Sequence, residues 1–413
     1  MKNDKPIIES PLDTDIYKHT MGQFVFLRYP DVTVRYAFKN RTKDIKLGRL
    51  VDIGRLREEL DNVRSLTYGN SDLHYLRGTN EYQERMFTEP YLDFLKGLKL
   101  PDYDLKIADG DIKLEFAGKW SEAIYWEVPA LSIANELYTR AIVAPLSRFE
   151  KELVYAEGKQ RLMGKIKMLR KRRDITFVDF GTRRRFSKDW QQYVVRVLME
   201  ELREQFRGTS NVKIADDQNI VPMGTSAHEI NMVMTAVTDG SDGEIHLSQQ
   251  KVLQDWWDQY GWGLSIALPD TYGSKFAFNT MTAEQARCWK GFRHDSGPPQ
   301  RFAKWALEFY KKYNINAKEK LLIFSDGLRV ETMIGVADYI NNRIRYTFGW
   351  GTDLMNDLGI KPVSIVVKPI EANGIGLVKL SDNPAKAIGR PEDIEEAKRI
   401  FGYDGGVYEE CVY

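Results

Sequence analysis

The chain has 413 residues, and its 60 basic and 59 acidic side chains leave a formal net charge of +1. That length supports a large core and two domains, while the near-balance of charge excludes the basic excess of a dedicated nucleic-acid binder. The two cysteines, Cys288 and Cys411, form neither a disulfide framework nor a metal-ligand spacing; with no apolar run near the ~20 residues of a membrane helix and no apolar signal core after Lys2-Asn3-Asp4-Lys5, a soluble cytoplasmic protein is expected.

Residues 1 to about 140 read as an N-terminal α/β domain. Near its start, Leu12-Asp13-Thr14-Asp15-Ile16-Tyr17-Lys18-His19 has the look of a helix cap. Val32–Phe38 and Asp111–Phe116 alternate apolar and polar residues and predict strands. Leu50–Thr67 and Glu81–Leu98 predict amphipathic helices, and Leu131–Tyr155 a long helix leading into the second domain, residues 141–413. Lys159 to Arg173 carries eight basic residues. Leu162, Met163, Ile166 and Leu169 interleave at helical spacing, so the run predicts a helix with a solvated basic face. A binding protein using that face is the reading from a different functional class.

From Ile175 short apolar strands alternate with helical stretches. Predicted strands are Ile175–Phe180, Val212–Ala215, Ile220–Met223, Leu264–Leu268, Leu321–Phe324, Ile344–Phe348 and Val363–Val367. Such alternation implies a parallel sheet covered on both faces, here closed as an irregular α/β barrel. The polar motifs fall just after strand C-termini, where barrel enzymes keep their chemistry. Phe180 and Arg183 pair an aromatic face with a guanidinium, suited to a flat anionic aromatic ligand. Gly224-Thr225-Ser226-Ala227-His228-Glu229 holds an imidazole beside small residues; it fits a base, a metal ligand or a phosphate acceptor. Arg293-His294-Asp295-Ser296-Gly297 places a cation and an acid on one side of an extended segment, suited to phosphate and to ribose hydroxyls or magnesium. Ser325-Asp326-Gly327 and Phe348-Gly349-Trp350-Gly351-Thr352 are adjacent glycine turns opening helices, which together predict a phosphate cradle.

In this order, and with Asp13-Thr14-Asp15-Ile16-Tyr17-Lys18, Tyr36-Ala37-Phe38-Lys39-Asn40-Arg41, Asp179-Phe180-Gly181-Thr182-Arg183-Arg184, Gly208-Thr209-Ser210-Asn211-Val212 and Asp270-Thr271-Tyr272, these motifs resemble the nicotinate phosphoribosyltransferases of bacterial and fungal length over nearly the whole chain. The resemblance implies transfer of phosphoribose from phosphoribosyl pyrophosphate to nicotinate, giving nicotinate mononucleotide and pyrophosphate for NAD salvage. It also implies ATP hydrolysis through a phosphohistidine at His228, Mg2+ bound with the diphosphate or ATP, and homodimers with shared active sites. C-terminal segments are expected to return to the N-terminal domain. Tyr17 and Phe180 are expected to sandwich the pyridine across the dimer interface, with Arg183 on its carboxylate. Asp295 is placed on the ribose side, Asp270 behind the imidazole, and Asp326, Gly327, Gly349, Gly351 and Thr352 around the 5′-phosphate with Arg41 near. Thr225, Ser226, Arg293 and Ser296 complete the expected substrate-binding set, with no metal held by protein ligands alone. Relatives acting on nicotinamide carry an acid where this chain has Ser210, which would repel a carboxylate; nicotinamide phosphoribosyl transfer is the same-class alternative.

Overall fold

Thr33–Asn40 buries Val34, Tyr36 and Phe38 on one face of an antiparallel sheet. A computed structural model describes residues 5–81 and 84–407 of the chain; Cys411 lies outside them. In that sheet Thr33–Asn40 is central, flanked by Asp111–Lys119 and Ile365–Ala372, with Tyr103–Ala108 and Ile375–Gly376 at the edges. Residues 365–376 therefore complete a sheet begun by residues 33–40. This corrects Val363–Val367 as a barrel strand: its Ile and Val alternation is real, but its pairing is antiparallel with Thr33–Asn40.

The second sheet has six parallel strands in the order Phe206–Thr209, Phe177–Asp179, Arg345–Trp350, Leu321–Phe324, Gly291–His294 and Ile266–Ala267. Helices such as Lys188–Glu201, Pro299–Lys312 and Val330–Ile340 follow its strands and bury apolar faces. The expected strand Ile220–Met223 is irregular. Met223 N–H donates to Thr209 O at 2.9 Å, so the segment runs beside the last strand, but Pro222 has no N–H with which to continue a ladder. Val212–Ala215 is the first turn of the helix Val212–Asp217, because the Asn211 side chain accepts from Ile214 N–H and caps it. Two strands of this parallel sheet lie outside the predicted ones, Phe206–Thr209 and Gly291–His294.

The long helix expected over Leu131–Tyr155 is two, Glu127–Val143 and Arg148–Leu169. Pro145 lies between them, and Ser147 and Glu150 form a reciprocal capping box that starts the second. That second helix carries the basic run. Its Leu162, Ile166 and Leu169 are buried. Arg161 pairs with Glu157 and Asp357, Lys165 with Asp353 and Asp357, Arg170 with Glu201, and Arg172 with Asp174 and Asp338. Much of the basic face is thus matched by the chain's own acids. No helix among the described residues is long and apolar enough to cross a membrane.

Candidate active site

At the C-terminal ends of the parallel strands lies a cavity of about 470 Å3. Its wall brings together Tyr17, Arg41, Phe180, Arg183, Ser210, Thr225, His228, Arg293, Asp295, Asp326, Gly327, Gly349, Gly351 and Thr352. Ser226, Asp270 and Ser296 stand behind that wall. Ser296 Oγ donates to Asp270 Oδ2 at 2.5 Å and accepts from Asp382 N–H. The Ser226 carbonyl accepts from Arg293 Nη1 at 2.8 Å. Ser226 and Ser296 therefore brace the site rather than line it.

His228 opens the helix His228–Thr235 and is buried. Its Nε2 lies 2.9 Å from Asp295 Oδ2 and 3.7 Å from Asp270 Oδ1, while Nδ1 is 3.0 Å from Thr271 Oγ1. The carboxylate within hydrogen-bond distance of the imidazole is Asp295; Asp270, expected in that role, acts at longer range. Burial pushes the imidazole down to about 4, with the Lys379 charge adding to the effect against the opposing pull of Asp270 and Asp295. At neutral pH the ring is uncharged and holds a nucleophilic lone pair. Burial also opposes ionisation of Asp295, but the hydrogen bond from His228 and the charges of Arg293 and Lys386 outweigh it and hold the acid well below the usual carboxylate range. Asp270, Asp295 and His228 offer ligand atoms within 4.8 Å of one another. Asp270 Oδ1 is buried without a hydrogen-bond partner, and two carboxylates suit a hard divalent cation.

One end of the cavity is shaped for a ring. Gly349 sits directly beneath Phe180: a Cβ there would lie 2.5 Å from Cε2 and 3.1 Å from Cγ of that ring. Gly349, expected beside a phosphate, lines the cavity, and its lack of a side chain also seats Phe180. Gly224 does the same for Tyr17, since its Cβ would meet Ile16 at 2.7 Å and Tyr17 N at 3.3 Å. Tyr17 and Phe180 both line this cavity within a single chain. Below Phe180, Gly224 and Thr225 a second cavity of about 940 Å3 runs down the barrel interior. Gly327 has a positive φ of 56° and open space at its Cβ direction, so its loop keeps the exposed backbone that a phosphate cradle needs.

Several site residues escaped the sequence reading. Asp15 is buried beside Ser210, whose Oγ donates to Asp15 Oδ1 at 2.7 Å, and lies 3.8 Å from Arg183 Nε. Burial raises its pKa against the opposing Arg183 charge and Ser210 bond. An acid therefore stands in the pocket even though position 210 is a serine. Glu127 accepts from Arg183 Nη1 at 3.0 Å and pairs with Lys18 at 2.7 Å. Lys368, Lys379 and Lys386 line the cavity from the C-terminal return segment. Lys379 lies 3.7 Å from Asp270, and Lys386 pairs with Asp326 and donates to Asp295 O at 2.9 Å. The available signal was the pair of lysines bracketing the turn Leu380-Ser381-Asp382-Asn383-Pro384-Ala385.

The profile of the nicotinate phosphoribosyltransferase (NAPRTase) family matches residues 175–404, and that of the NAPRTase N-terminal domain matches residues 12–135. Among solved structures, a nicotinate phosphoribosyltransferase from Vibrio cholerae is 30% identical, with TM-score 0.87 over 97% of this chain and 94% of that one. One from Porphyromonas gingivalis is 28% identical, with TM-score 0.84 over 96% of this chain and 100% of that one. A putative nicotinate phosphoribosyltransferase from Saccharomyces cerevisiae is 26% identical, with TM-score 0.84 over 97% and 99% of the two chains. With both profiles matched in order on a chain that keeps the same fold almost end to end, this protein belongs to the nicotinate phosphoribosyltransferase family.

Proposed function

We propose that the chain joins nicotinate to phosphoribosyl pyrophosphate, releasing pyrophosphate, and couples this to ATP through phosphorylation of His228. The observation that carries the reading is the set of groups that line one cavity. Tyr17, Phe180 and Arg183 bring aromatic rings and a guanidinium, Gly327 and Thr352 with Arg41 and Lys386 bring loop backbone and cations suited to an anion, and His228 lines the same wall. The pyridine nitrogen lone pair attacks ribose C1, the bond from C1 to the diphosphate oxygen breaks, and the diphosphate leaves with that electron pair. The transition state is cation-like, and the nitrogen has no proton to lose, so no general base is needed. The protein supplies orientation and charge.

That leaves the neutral His228 free for the coupling step. Its nitrogen attacks the terminal phosphorus of ATP and ADP leaves. The attack uses the tautomer whose proton sits on Nδ1, donated to the Thr271 hydroxyl oxygen at 3.0 Å, so that Nε2 carries the lone pair. The bond from the phosphorus to the ADP oxygen breaks, ADP leaves with that electron pair, and Asp295, 2.9 Å from Nε2, faces the positive charge left on the ring. Asp270 and Asp295 are the residues that would hold Mg2+, whose chemistry when bound is to neutralise phosphate charge. The test is incubation with terminally labelled ATP, with product assayed alongside. Acid-labile label on the wild type and none on His228→Asn supports the assignment; label retained by the variant removes it.

Asp15 beside Ser210 favours a second reading, since a carboxylate there can accept from an amide NH2. Comparing kcat/KM for nicotinate and nicotinamide under identical ATP separates the two; a charge-assisted contact to Arg183 is worth about 1.5–3 kcal/mol in favour of nicotinate.

A further inference from the structure

Lys368 projects from the strand Ile365–Ala372 into the ring end of the cavity, beside Val366. Its Nζ lies 3.3 Å from Glu127 Oε1, the oxygen that also accepts from Arg183 Nη1 at 3.0 Å. The other oxygen, Oε2, takes Lys18 at 2.7 Å and the Tyr17 hydroxyl at 3.2 Å. Glu127 is therefore satisfied without Lys368, whose contact is the longest of the four. An ammonium has three donors, and Glu127 is the sole hydrogen-bond partner of this one among the described residues. The local charges point the same way. Lys18, Arg183 and Lys368 face Glu127 and Glu229, and Glu229 is fully engaged by Lys18, Tyr36 and Trp120. Lys18, Arg183 and Lys368 are thus three cations set against Glu127 and Glu229, with Asp15 3.8 Å from Arg183 and its charged form disfavoured by burial.

We propose that Lys368 is a specificity-determining residue, the second cation that with Arg183 receives the carboxylate of an aromatic acid held between Tyr17 and Phe180. The inference rests on the reading of this pocket as a nicotinate site. It explains how the pocket tolerates Asp15: the ligand carboxylate is held at the Arg183–Lys368 side, where Glu127 Oε1 is shared by two cations. Burial lowers Lys368 to about 8, with Glu127 opposing the shift and Arg183, Lys18 and Lys379 adding to it. The charge is therefore present at neutral pH and is lost as pH rises through that value. Nicotinate binding is favoured below it, and a bound carboxylate draws a proton back onto the lysine.

The test compares wild type, Lys368→Met and Lys368→Arg. Steady-state constants are measured for nicotinate, nicotinamide and phosphoribosyl pyrophosphate, and nicotinate binding by calorimetry, from neutral pH to above the lysine pKa. Lys368→Met is expected to lower kcat/KM for nicotinate about tenfold or more through KM. Nicotinamide and phosphoribosyl pyrophosphate constants should move less than about twofold, because neither makes a charge-assisted contact at this side chain. The wild-type KM for nicotinate should rise above pH 8 while that of Lys368→Arg stays level. Equal losses for the acid and the amide, or a raised KM for phosphoribosyl pyrophosphate, overturn the proposal, as does the same alkaline rise in Lys368→Arg. If Lys368→Met does not fold, the comparison of wild type with Lys368→Arg decides. A wild type inactive on nicotinate overturns the functional reading itself; an active wild type with an unaffected Lys368→Met overturns this inference alone.

Discussion

Replacing Gly349 by alanine adds one carbon to the most constrained contact of the site. The new Cβ would lie 2.5 Å from Cε2 of Phe180, where ordinary contact begins at 3.4 Å. The glycine lies on the strand Arg345–Trp350, fixed by parallel pairing on both sides. The ring must therefore yield, by roughly an ångström, a displacement of the size that disturbs catalytic alignment. It has somewhere to go, because Phe180 also lines the barrel cavity of about 940 Å3 below the site. The fold is thus retained and the aromatic platform is lost. A stacked ring contact is worth about 0.5–1.5 kcal/mol, which raises the KM for nicotinate roughly two- to tenfold. Misorientation of the pyridine nitrogen lowers kcat further. The KM for phosphoribosyl pyrophosphate should hold within about twofold, since the added carbon meets a side chain and not the phosphate approach.

The assay is initial-rate kinetics with each substrate varied in turn, repeated in a Phe180→Ala background. If Gly349 acts only by seating Phe180, the alanine substitution adds little once the ring is gone, and the double-mutant cycle shows a coupling close to the whole single-mutant effect. A rise in KM for phosphoribosyl pyrophosphate with nicotinate unchanged would refute the reasoning and return Gly349 to the phosphate cradle. Full additivity of the two substitutions would refute it as well.

Three other outcomes are expected. His228→Asn should lose ATP hydrolysis and keep a weak, ATP-independent synthesis that rises with phosphoribosyl pyrophosphate, read as product formed with and without ATP. Mixing inactive Tyr17→Ala and Phe180→Ala chains under exchange conditions should restore no activity, because one chain supplies both residues to its own cavity; recovery towards half the wild-type rate would place Tyr17 in a neighbour's site. His228, lowered to about 4, should make the fold less stable as pH falls from the ordinary histidine value of 6.5 towards 4, since the unfolded chain takes up a proton that the native imidazole resists; denaturant melts at each pH should show His228→Asn losing about 1.4 kcal/mol per pH unit of that slope across the window.

What could be read from the sequence divides along physical lines. Leu321–Phe324 and Phe177–Asp179 were legible because strands covered wholly or in large part on both faces read as continuous apolar runs. The loops after them were legible because Gly327 and Phe180 follow those runs directly. Phe206–Thr209 was not legible: Arg207 and Gly208 break the apolar run, and only pairing with Phe177–Asp179 makes it a strand. Val212–Ala215 was misread for the opposite reason. Its apolar residues fit a strand, but a local cap at Asn211 decided for a helix.

The harder loss was Lys368. Along Ile365–Ala372 it is one polar residue in a run otherwise rich in Ile and Val, and alternation alone assigns it to a solvated face. That inference assumes the strand belongs to the nearest sheet in sequence. It pairs instead with Thr33–Asn40 across more than three hundred residues, Lys368 opposite Ala37. The pairing turns its side chain towards Glu127, at the start of the helix Glu127–Val143. The same long-range closure carries Lys379 and Lys386 over the ends of the barrel strands, beside Asp270 and Asp326. Three cations of the site's lining, Lys368, Lys379 and Lys386, are thus contributed by a segment whose position is set by a partner strand near the other end of the chain. Local pattern is sufficient for the ring and phosphate loops, because each is held by its own strand. It is insufficient for Lys368, Lys379 and Lys386, because their placement depends on register in a non-local antiparallel pair, and a slip of one residue there would turn Lys368 to the opposite face.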